Sequence, residues 1–484
     1  MLSAVVVEAA KPNIVLIVAD DMGMADVGYH GYKDVLTPNI DKIAADGVHF
    51  TQGYVSASVC GPSRAGMMAG VYQQKFGCGE NPDVTGYPDC RFPKAGVPTS
   101  QKLLPEMLKE EGYTTGMVGK WHLGVHPELR PSSRGFDFYF GFLNGSHSYV
   151  EWTNEMPRRK DKWPVFRNDK MEPPRKDIYL TDLFSDEAVD FIDREHDKPF
   201  FLYMAYNAVH GPWEVPQSYL ERTKGLTDSA NRNHFAAMVL AMDDGIGRVQ
   251  DALKKHGIEE NTIVIFITDN GSPTHQGISG NTNTNGTERM QGRDFMSNTG
   301  ELRGYKGDTY EGGIRVPFCM SWPAQIKPGT VYDKPVSALD LVPTLVKKDV
   351  PTDGVDLLPY LKGEKDGRPH EVLYWRRDND YAIRKGDWKL QWNDFAGSTK
   401  IMLFNLANDP NEERDLAAQN PELAQALQDQ FDAWDNQLPD NEWWGGSINR
   451  KRHRLKRHQG TDSVMRFNSD PPKGHAMHGR AHKK

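Results

Sequence analysis

The stretch Cys60-Gly61-Pro62-Ser63-Arg64-Ala65-Gly66-Met67-Met68-Ala69-Gly70 could put a thiol to chemical use. Pro62 suits the first turn of a helix, where its missing N–H has no intrahelical partner, and Gly70 can close that helix in the left-handed conformation. Cys60 then falls at a helix N-terminus. Unpaired N–H groups and the positive end of the dipole stabilise an anion, a thiolate or developing negative charge there. A short buried helix with an inert cysteine is the competing reading.

Carboxylates and basic groups fall at recurring places. Asn13-Ile-Val-Leu-Ile-Val-Ala19 ends in Asp20-Asp21, and Thr262-Ile-Val-Ile-Phe-Ile-Thr268 ends in Asp269-Asn270-Gly271. Adjacent carboxylates after a buried strand are costly unless something cationic pairs with them, so a metal is the natural partner and a solvated turn the alternative. Lys120-Trp121-His122 follows Thr114–Gly119, and His210 lies just past Pro199–Ala205. Three aspartates and an asparagine offer oxygen donors only, which suits a hard cation, Ca²⁺ in preference to Mg²⁺. Zinc would want His or Cys among its ligands.

These residues need a frame. The apolar, β-branched runs predict strands of a parallel sheet buried on both faces, and ligands of such sheets bind beyond the carboxyl ends of the strands. Asp20 and Asp21, Lys120 and His122, His210, and Asp269 and Asn270 should therefore converge in one cleft. Helices are predicted from Thr37, over 103–112, over 181–196 and over 233–256, where Phe235, Met238, Val239, Met242, Ile246, Val249 and Leu253 recur at helical spacing before Gly257. Asp243 and Asp244 in that last helix read as an exposed face and not as ligands. The aromatic and basic segment 130–176 reads as loop insertions, which often carry selectivity. The Asn, Thr and Gly-rich tract 277–300 reads as a long flexible loop beside the cleft, a candidate substrate lid.

The fold class expected is α/β: a large mixed, mostly parallel sheet flanked by helices on both faces, with a small C-terminal antiparallel sheet plus helix. The boundaries expected are 11–350 for the α/β domain and 351–445 for an α+β subdomain, whose short strands at 371–376, 381–384 and 388–392 precede a helix from Pro421 to about Leu438. Residues 446–484 read as a basic tail, solvated or weakly gripping an anionic glycan.

Composition narrows the classes further. A hydrophobic fraction of 38%, a charged fraction of 26% and 484 residues describe a globular protein with room for a large core. A net charge of −8 argues against nucleic acid as a partner, and no apolar run approaches a membrane span. Residues 1–10 lack the basic start of a signal peptide, although Ala9-Ala10 resembles the end of a trimmed one, so a periplasmic or secreted location is expected. Cys78 and Cys90 could pair in an oxidising compartment, whereas Cys319 reads as core.

The pattern Cys-x-Pro-Ser-Arg, four residues and Gly, resembles the signature of the type I sulfatases of the alkaline phosphatase-like superfamily. Leu302-Arg-Gly-Tyr-Lys306-Gly-Asp-Thr-Tyr-Glu-Gly-Gly-Ile-Arg315 is similar to a second signature of that family. The resemblance implies that Cys60 is oxidised to Cα-formylglycine by a formylglycine-generating or anaerobic sulfatase-maturating enzyme. It also implies a divalent ion held by Asp20, Asp21, residue 60, Asp269 and Asn270. The hydrated aldehyde, a geminal diol, would attack sulfur to give a covalent sulfated intermediate and then expel sulfate. Arg64 would hold the diol, Lys120 and Lys306 would bind sulfate oxygens, His122 would be the base for expulsion and His210 the acid for the leaving alcohol.

The activity so implied is hydrolysis of a sulfate ester on a carbohydrate, as in bacterial enzymes that degrade sulfated polysaccharides. Two alternatives stand beside it. One is a phosphonate or phosphodiester hydrolase using the same formylglycine apparatus. The other is a noncatalytic sulfated-glycan-binding protein, which would have little use for an acid and a base.

Overall fold

The computed structural model describes residues 11–439 apart from 83, 85–86, 91, 155–162, 274–286, 290–295, 378 and 396–397, and gives no side-chain placement at 287–289, 394–395 and 398–399. The basic tail and residues 1–10 therefore lie outside the described residues. A ten-stranded sheet has the order Thr330–Tyr332, Val48–Phe50, Phe318–Ser321, Thr262–Thr268, Asn13–Ala19, Phe200–Ala205, Thr114–Lys120, Phe138–Phe142, Phe166–Arg167, Lys170–Met171. The five strands from Thr262–Thr268 to Phe138–Phe142 are parallel neighbours.

Alternation along the strands divides the core into two layers. Ile14, Leu16 and Val18 pack with Ala65, Met67 and Met68 of the Cys60–Ala69 helix and with Leu104 and Leu108 of the Leu104–Glu110 helix. Val15, Ile17 and Ala19 pack on the other face, against Phe184, Ala188 and Phe191 of Leu180–Glu195 and Phe235, Met238 and Met242 of Ala230–Lys255. Burial on both faces explains why these strands carry no polar alternation.

Register then delivers the polar ends to one level. Ala19 pairs with Thr268, so Asp20 and Asp269 leave the sheet side by side. Ala205 pairs with both Val18 and Gly119, which brings Lys120 and the 206–210 segment to the same edge.

Three expectations need correction. Within 130–176, Phe138–Phe142 is a strand of the central sheet, with Tyr139, Phe140 and Phe142 buried, and Phe166–Arg167 and Lys170–Met171 extend the sheet beyond it. Those aromatics are core because the parallel sheet continues past Thr114–Lys120. Asp243 is fully buried, and its carboxylate accepts backbone N–H groups of Asn39 and Ile40 at 2.9–3.1 Å. It thereby serves the first turn of the Pro38–Ala45 helix, whose own N-cap residue, Thr37, makes no capping side-chain bond to the helix N–H groups. Asp244 pairs instead with Arg222.

Most of the tract 277–300 lies outside the described residues, but Thr287–Arg289 pairs antiparallel with Glu214–Pro216, so the tract is not loop throughout. Cys78 and Cys90, whose pairing the sequence leaves open, form no disulfide, while Cys319 is buried in its strand as expected.

The second sheet is antiparallel and has four strands, Val372–Arg377, Asp380–Lys385, Trp388–Phe395 and Ser398–Asn405, the last of which the sequence reading did not single out. The Pro421–Asp435 helix covers it through Ala424, Leu427 and Phe431. Leu373, Trp375 and Ala382 join the core of the large sheet, and Trp375 Nε1 donates to Val55 O at 2.7 Å.

Candidate active site

The site lies beyond the carboxyl ends of the parallel strands. Ligand atoms of Asp20, Asp21, Cys60 and Asp269 all fall within 4.8 Å of one another, and all four residues are buried. Asp20 is pinned by backbone bonds, its N–H to Ala208 O and its carbonyl from Val209 N–H, each 2.8 Å. Asp21 has φ 69°, an uncommon left-handed backbone for a residue other than Gly. That bend carries the second carboxylate back toward the first.

Two acceptors in this cluster have no protein donor among the described residues: Asp20 Oδ1 and Asn270 Oδ1, both buried. A buried carboxylate oxygen and a buried amide oxygen without donors, beside two further carboxylates, form the donor set a hard divalent cation takes. Asn270 Nδ2 meanwhile donates to Asp21 Oδ1 at 2.7 Å, which fixes the amide. The residues present thus fit a divalent ion.

Cys60 opens the fully buried Cys60–Ala69 helix, and Gly70 ends it at φ 65°, as the sequence predicts. The thiol is not activated by that position. Burial pushes it up to about 12, against the pull of Lys120 and Lys306 and with Asp20 and Asp269 adding to the rise. One turn on, Arg64 is completely buried; its Nε donates to Asp269 Oδ2 at 2.8 Å and its Nη1 contacts Lys120 O and the Tyr203 hydroxyl at 3.3 Å. Arg64 Nη2 has no protein acceptor.

The cations surround the carboxylates. Lys120 Nζ is 2.5 Å from Asp20 Oδ2, and Lys306 Nζ lies 2.6 and 2.8 Å from the two oxygens of Asp21 and 3.2 Å from Cys60 Sγ. Burial alone would raise the Asp21 carboxyl; Lys306, His210 and Lys120 outweigh it and hold that carboxyl well below the usual range. Asp269 is pushed up to about 6 by burial and by the adjacent Asp20. A divalent ion would relieve that repulsion.

Both histidines are held neutral. His122, at φ 60°, falls well below its ordinary value through burial and the charges of Lys120 and Arg64, and its buried Nδ1 has no partner. His210 is lowered to about 4 by burial and Lys306. Its Nδ1 donates to Gly211 O at 2.6 Å, which leaves Nε2 as the free end, 3.7 Å from Asp21 Oδ2. Every polar residue expected in the cleft, Asp20, Asp21, Cys60, Arg64, Lys120, His122, His210, Asp269, Asn270 and Lys306, is therefore brought to this one edge.

The sequence reading missed the residues that hold them. Gly145 packs on His122 so closely that a Cβ there would lie 2.6 Å from Nε2. Asn81 Oδ1 accepts Gly61 N–H at 2.8 Å at the start of the Cys60–Ala69 helix. Tyr203 sits in an apolar strand and is indistinguishable by pattern from core. Only the fold reveals such contacts, because none has a fixed spacing from the residue it serves.

The family model described as Sulfatase matches residues 12–347, the span that contains every one of these groups. The chain belongs to the sulfatase family. Its sulfatase fold is that of the alkaline phosphatase-like superfamily, and the family's enzymes are sulfuric ester hydrolases. A second family model, N-sulphoglucosamine sulphohydrolase, C-terminal, matches residues 304–437.

Among curated relatives, mouse N-acetylgalactosamine-6-sulfatase is 33% identical over 86% of this sulfatase and 84% of its own length. Human arylsulfatase A is 31% identical over 88% of each. The crystal structure of Ps i-CgsB matches with a TM-score of 0.80 at 33% identity, covering 95% of this chain and 100% of that one. Among the described residues, no helix of the sulfatase is long and apolar enough to cross a membrane.

Proposed function

We propose that this sulfatase is exported and removes sulfate from a sulfated carbohydrate, using Cys60 converted to Cα-formylglycine by a maturating enzyme and one divalent ion, Ca²⁺, at Asp20, Asp21, Asp269, Asn270 and residue 60. The observation that carries the reading is the gathering of three carboxylates and the Cys60 sulfur within 4.8 Å, ringed by lysines. Support for a carbohydrate comes from relatives: one is named for N-acetylgalactosamine 6-sulfate esters, and Ps i-CgsB, 33% identical, has been solved with k-i-k-neocarrahexaose.

Residue 60, once oxidised, would supply the attacking hydroxyl, and an ion held by Asp20, Asp21, Asp269 and Asn270 would supply Lewis-acid polarisation and offset charge on sulfate. The chain does the rest. Lys120 and Lys306 bind sulfate oxygens in a buried cleft where fixed charge is little screened. Arg64 is locked on Asp269 through Nε and, among the described residues, keeps Nη2 without an acceptor, which would be the group that holds residue 60. His122 is neutral and so able to accept a proton when sulfate is expelled.

His210 presents an unprotonated Nε2 in this arrangement, so as the acid it must first gain a proton. An anionic ester beside it favours that gain, because a nearby negative charge stabilises the imidazolium.

The test is sulfate release from a panel of defined sulfated oligosaccharides, N-acetylgalactosamine 6-sulfate and neocarrageenan oligosaccharides included, with phosphate and phosphonate esters assayed in parallel. Desulfation that disappears in Cys60→Ala is expected. A phosphoester or phosphonate rate well above every sulfate ester would overturn the assignment. Peptide mass analysis at residue 60 reads its conversion directly.

A further inference from the structure

Lys306 stands on a turn held from three sides. Its own N–H donates to Ser272 O at 2.7 Å, two residues beyond Asn270, and Gly307 N–H donates to Ser58 O at 2.8 Å, two residues before Cys60. The third hold comes from the other sheet. Arg377, the last residue of the Val372–Arg377 strand, donates Nη1 to Gly307 O at 2.8 Å, and its Nε is 2.9 Å from Glu80 Oε1. Both side chains of that ion pair are largely buried, at 14% and 6% exposure.

Gly307 has φ 98°, and a Cβ there would lie 2.6 Å from Arg377 Nη1, so the turn is shaped to receive the guanidinium. Glu80 is itself tied to the nucleophile, because its neighbour Asn81 accepts the Gly61 N–H.

We propose that the Arg377–Glu80 pair positions Lys306 against residue 60, so that the C-terminal sheet sets the sulfate affinity of the site without touching sulfate. The inference rests on Lys306 being a sulfate ligand, as proposed above. A flexible lysine reaching from an unbraced turn would spread over several rotamers; bracing its backbone on Ser58, Ser272 and Arg377 confines Nζ to the place where it meets both Asp21 and Cys60 Sγ. Arginine is required because one planar group must meet a carbonyl and a carboxylate together.

The experiment titrates inorganic sulfate calorimetrically into the full chain with Ca²⁺ present, in a Cys60→Ser background that excludes turnover. Arg377→Gln and Glu80→Gln are expected to weaken sulfate by about tenfold and Arg377→Lys by less, with thermal melts showing each variant folded. In a Lys306→Ala background, Arg377→Gln should add nothing further. Sulfate affinity in Arg377→Gln within twofold of the parent (roughly the scatter expected of an uncoupled site) would overturn the proposal, as would an undiminished effect in Lys306→Ala, which would mean that Arg377 meets sulfate itself. If Lys306→Ala alone leaves affinity unchanged, the reading of Lys306 as a sulfate ligand fails instead.

Discussion

Two of the clusters of buried charge among the described residues are built from the same materials to different ends. In the first, Asp20, Asp21 and Asp269 meet Lys120, Lys306 and Arg64 beside Cys60. In the second, Glu311 and Glu412 share Lys389, which the C-terminal sheet contributes from its Trp388–Phe395 strand. There, Glu311 Oε1 and Glu412 Oε1 lie 2.9 and 2.8 Å from Lys389 Nζ, Glu311 Oε2 accepts the Tyr54 hydroxyl at 2.5 Å and Glu412 Oε2 accepts Glu311 N–H at 2.8 Å. Three of these four carboxylate oxygens accept a protein hydrogen bond, and the fourth, Glu412 Oε1, has the Lys389 ammonium as its ion-pair partner. Among the described residues, the first cluster leaves Asp20 Oδ1, Asn270 Oδ1 and Arg64 Nη2 without protein hydrogen-bond partners and with no ion pair at those atoms. Charge whose partners are complete holds two sheets together; charge left with unanswered atoms is arranged for something that arrives.

That contrast is open to direct attack, and its largest expected effect is on catalysis. Asp269→Asn should lower kcat/KM for the best sulfate ester by about a thousandfold, the scale of removing a principal electrostatic group from a site. Its stability without metal should change far less, since Arg64 Nε can still donate to the asparagine oxygen and the repulsion from Asp20 is relieved. Lys389→Met reverses the pattern. Removing the cation from two buried glutamates should cost about 3–5 kcal/mol in denaturant unfolding, while the folded fraction keeps kcat/KM within a few-fold. If Lys389→Met instead abolished turnover in well-folded protein, the division of labour between the clusters would be wrong.

A smaller effect tests the unanswered oxygens. Ca²⁺ at a hundred times its dissociation constant should stabilise the protein by about 2.7 kcal/mol, because it binds the folded state alone. Mg²⁺ at the same concentration should do less. The increment should vanish in Asp269→Asn and persist in Lys389→Met. An equal response to Ca²⁺ in the parent and in Asp269→Asn would place the ion elsewhere.

The clusters differ as much in how readable they were as in what they do. Asp20, Asp21, Asp269 and Asn270 could be found because each terminates a continuous apolar run, and a parallel sheet sends all such ends to one edge. Lys120, His122 and His210 follow from the same rule, and the Cys60 helix announces itself through Pro62 and Gly70. Glu311, Lys389 and Glu412 had no such signature: they come from a short helix, a strand interior and a turn, and their meeting depends on how the second sheet docks. The same applies to Asp243, whose helical spacing suited an exposed face until the Pro38–Ala45 helix was laid against it. Phe138–Phe142 shows the converse error, since aromatic residues among arginines were read as a selectivity loop when the sheet needed one more buried strand.

The smallest effect separates the histidines of the two regions by pH. His370, two residues before the Val372–Arg377 strand of the second sheet, bonds Asp340 Oδ1 through Nε2 at 2.6 Å; although burial opposes its charge, the Asp340 carboxylate wins and its value is raised. His210 is lowered to about 4. The signs are opposite. A histidine whose folded value is raised contributes stability that is complete below the unfolded value of 6.5 and is lost as pH rises through the folded value. A lowered one contributes stability that is complete above 6.5 and is lost as pH falls toward the folded value. The two therefore act in separate windows. Above pH 6.5 only the His370 pair should change, so the stability advantage of the parent over His370→Gln, measured by urea midpoints without added metal, should be greatest near the acid end of that window and shrink as the solution is made more alkaline. Glutamine retains a donor for Asp340 but no charge, so an advantage that stayed constant or grew would show that His370 is bound neutral, and the second region would then hold its contacts by hydrogen bonding alone at this position.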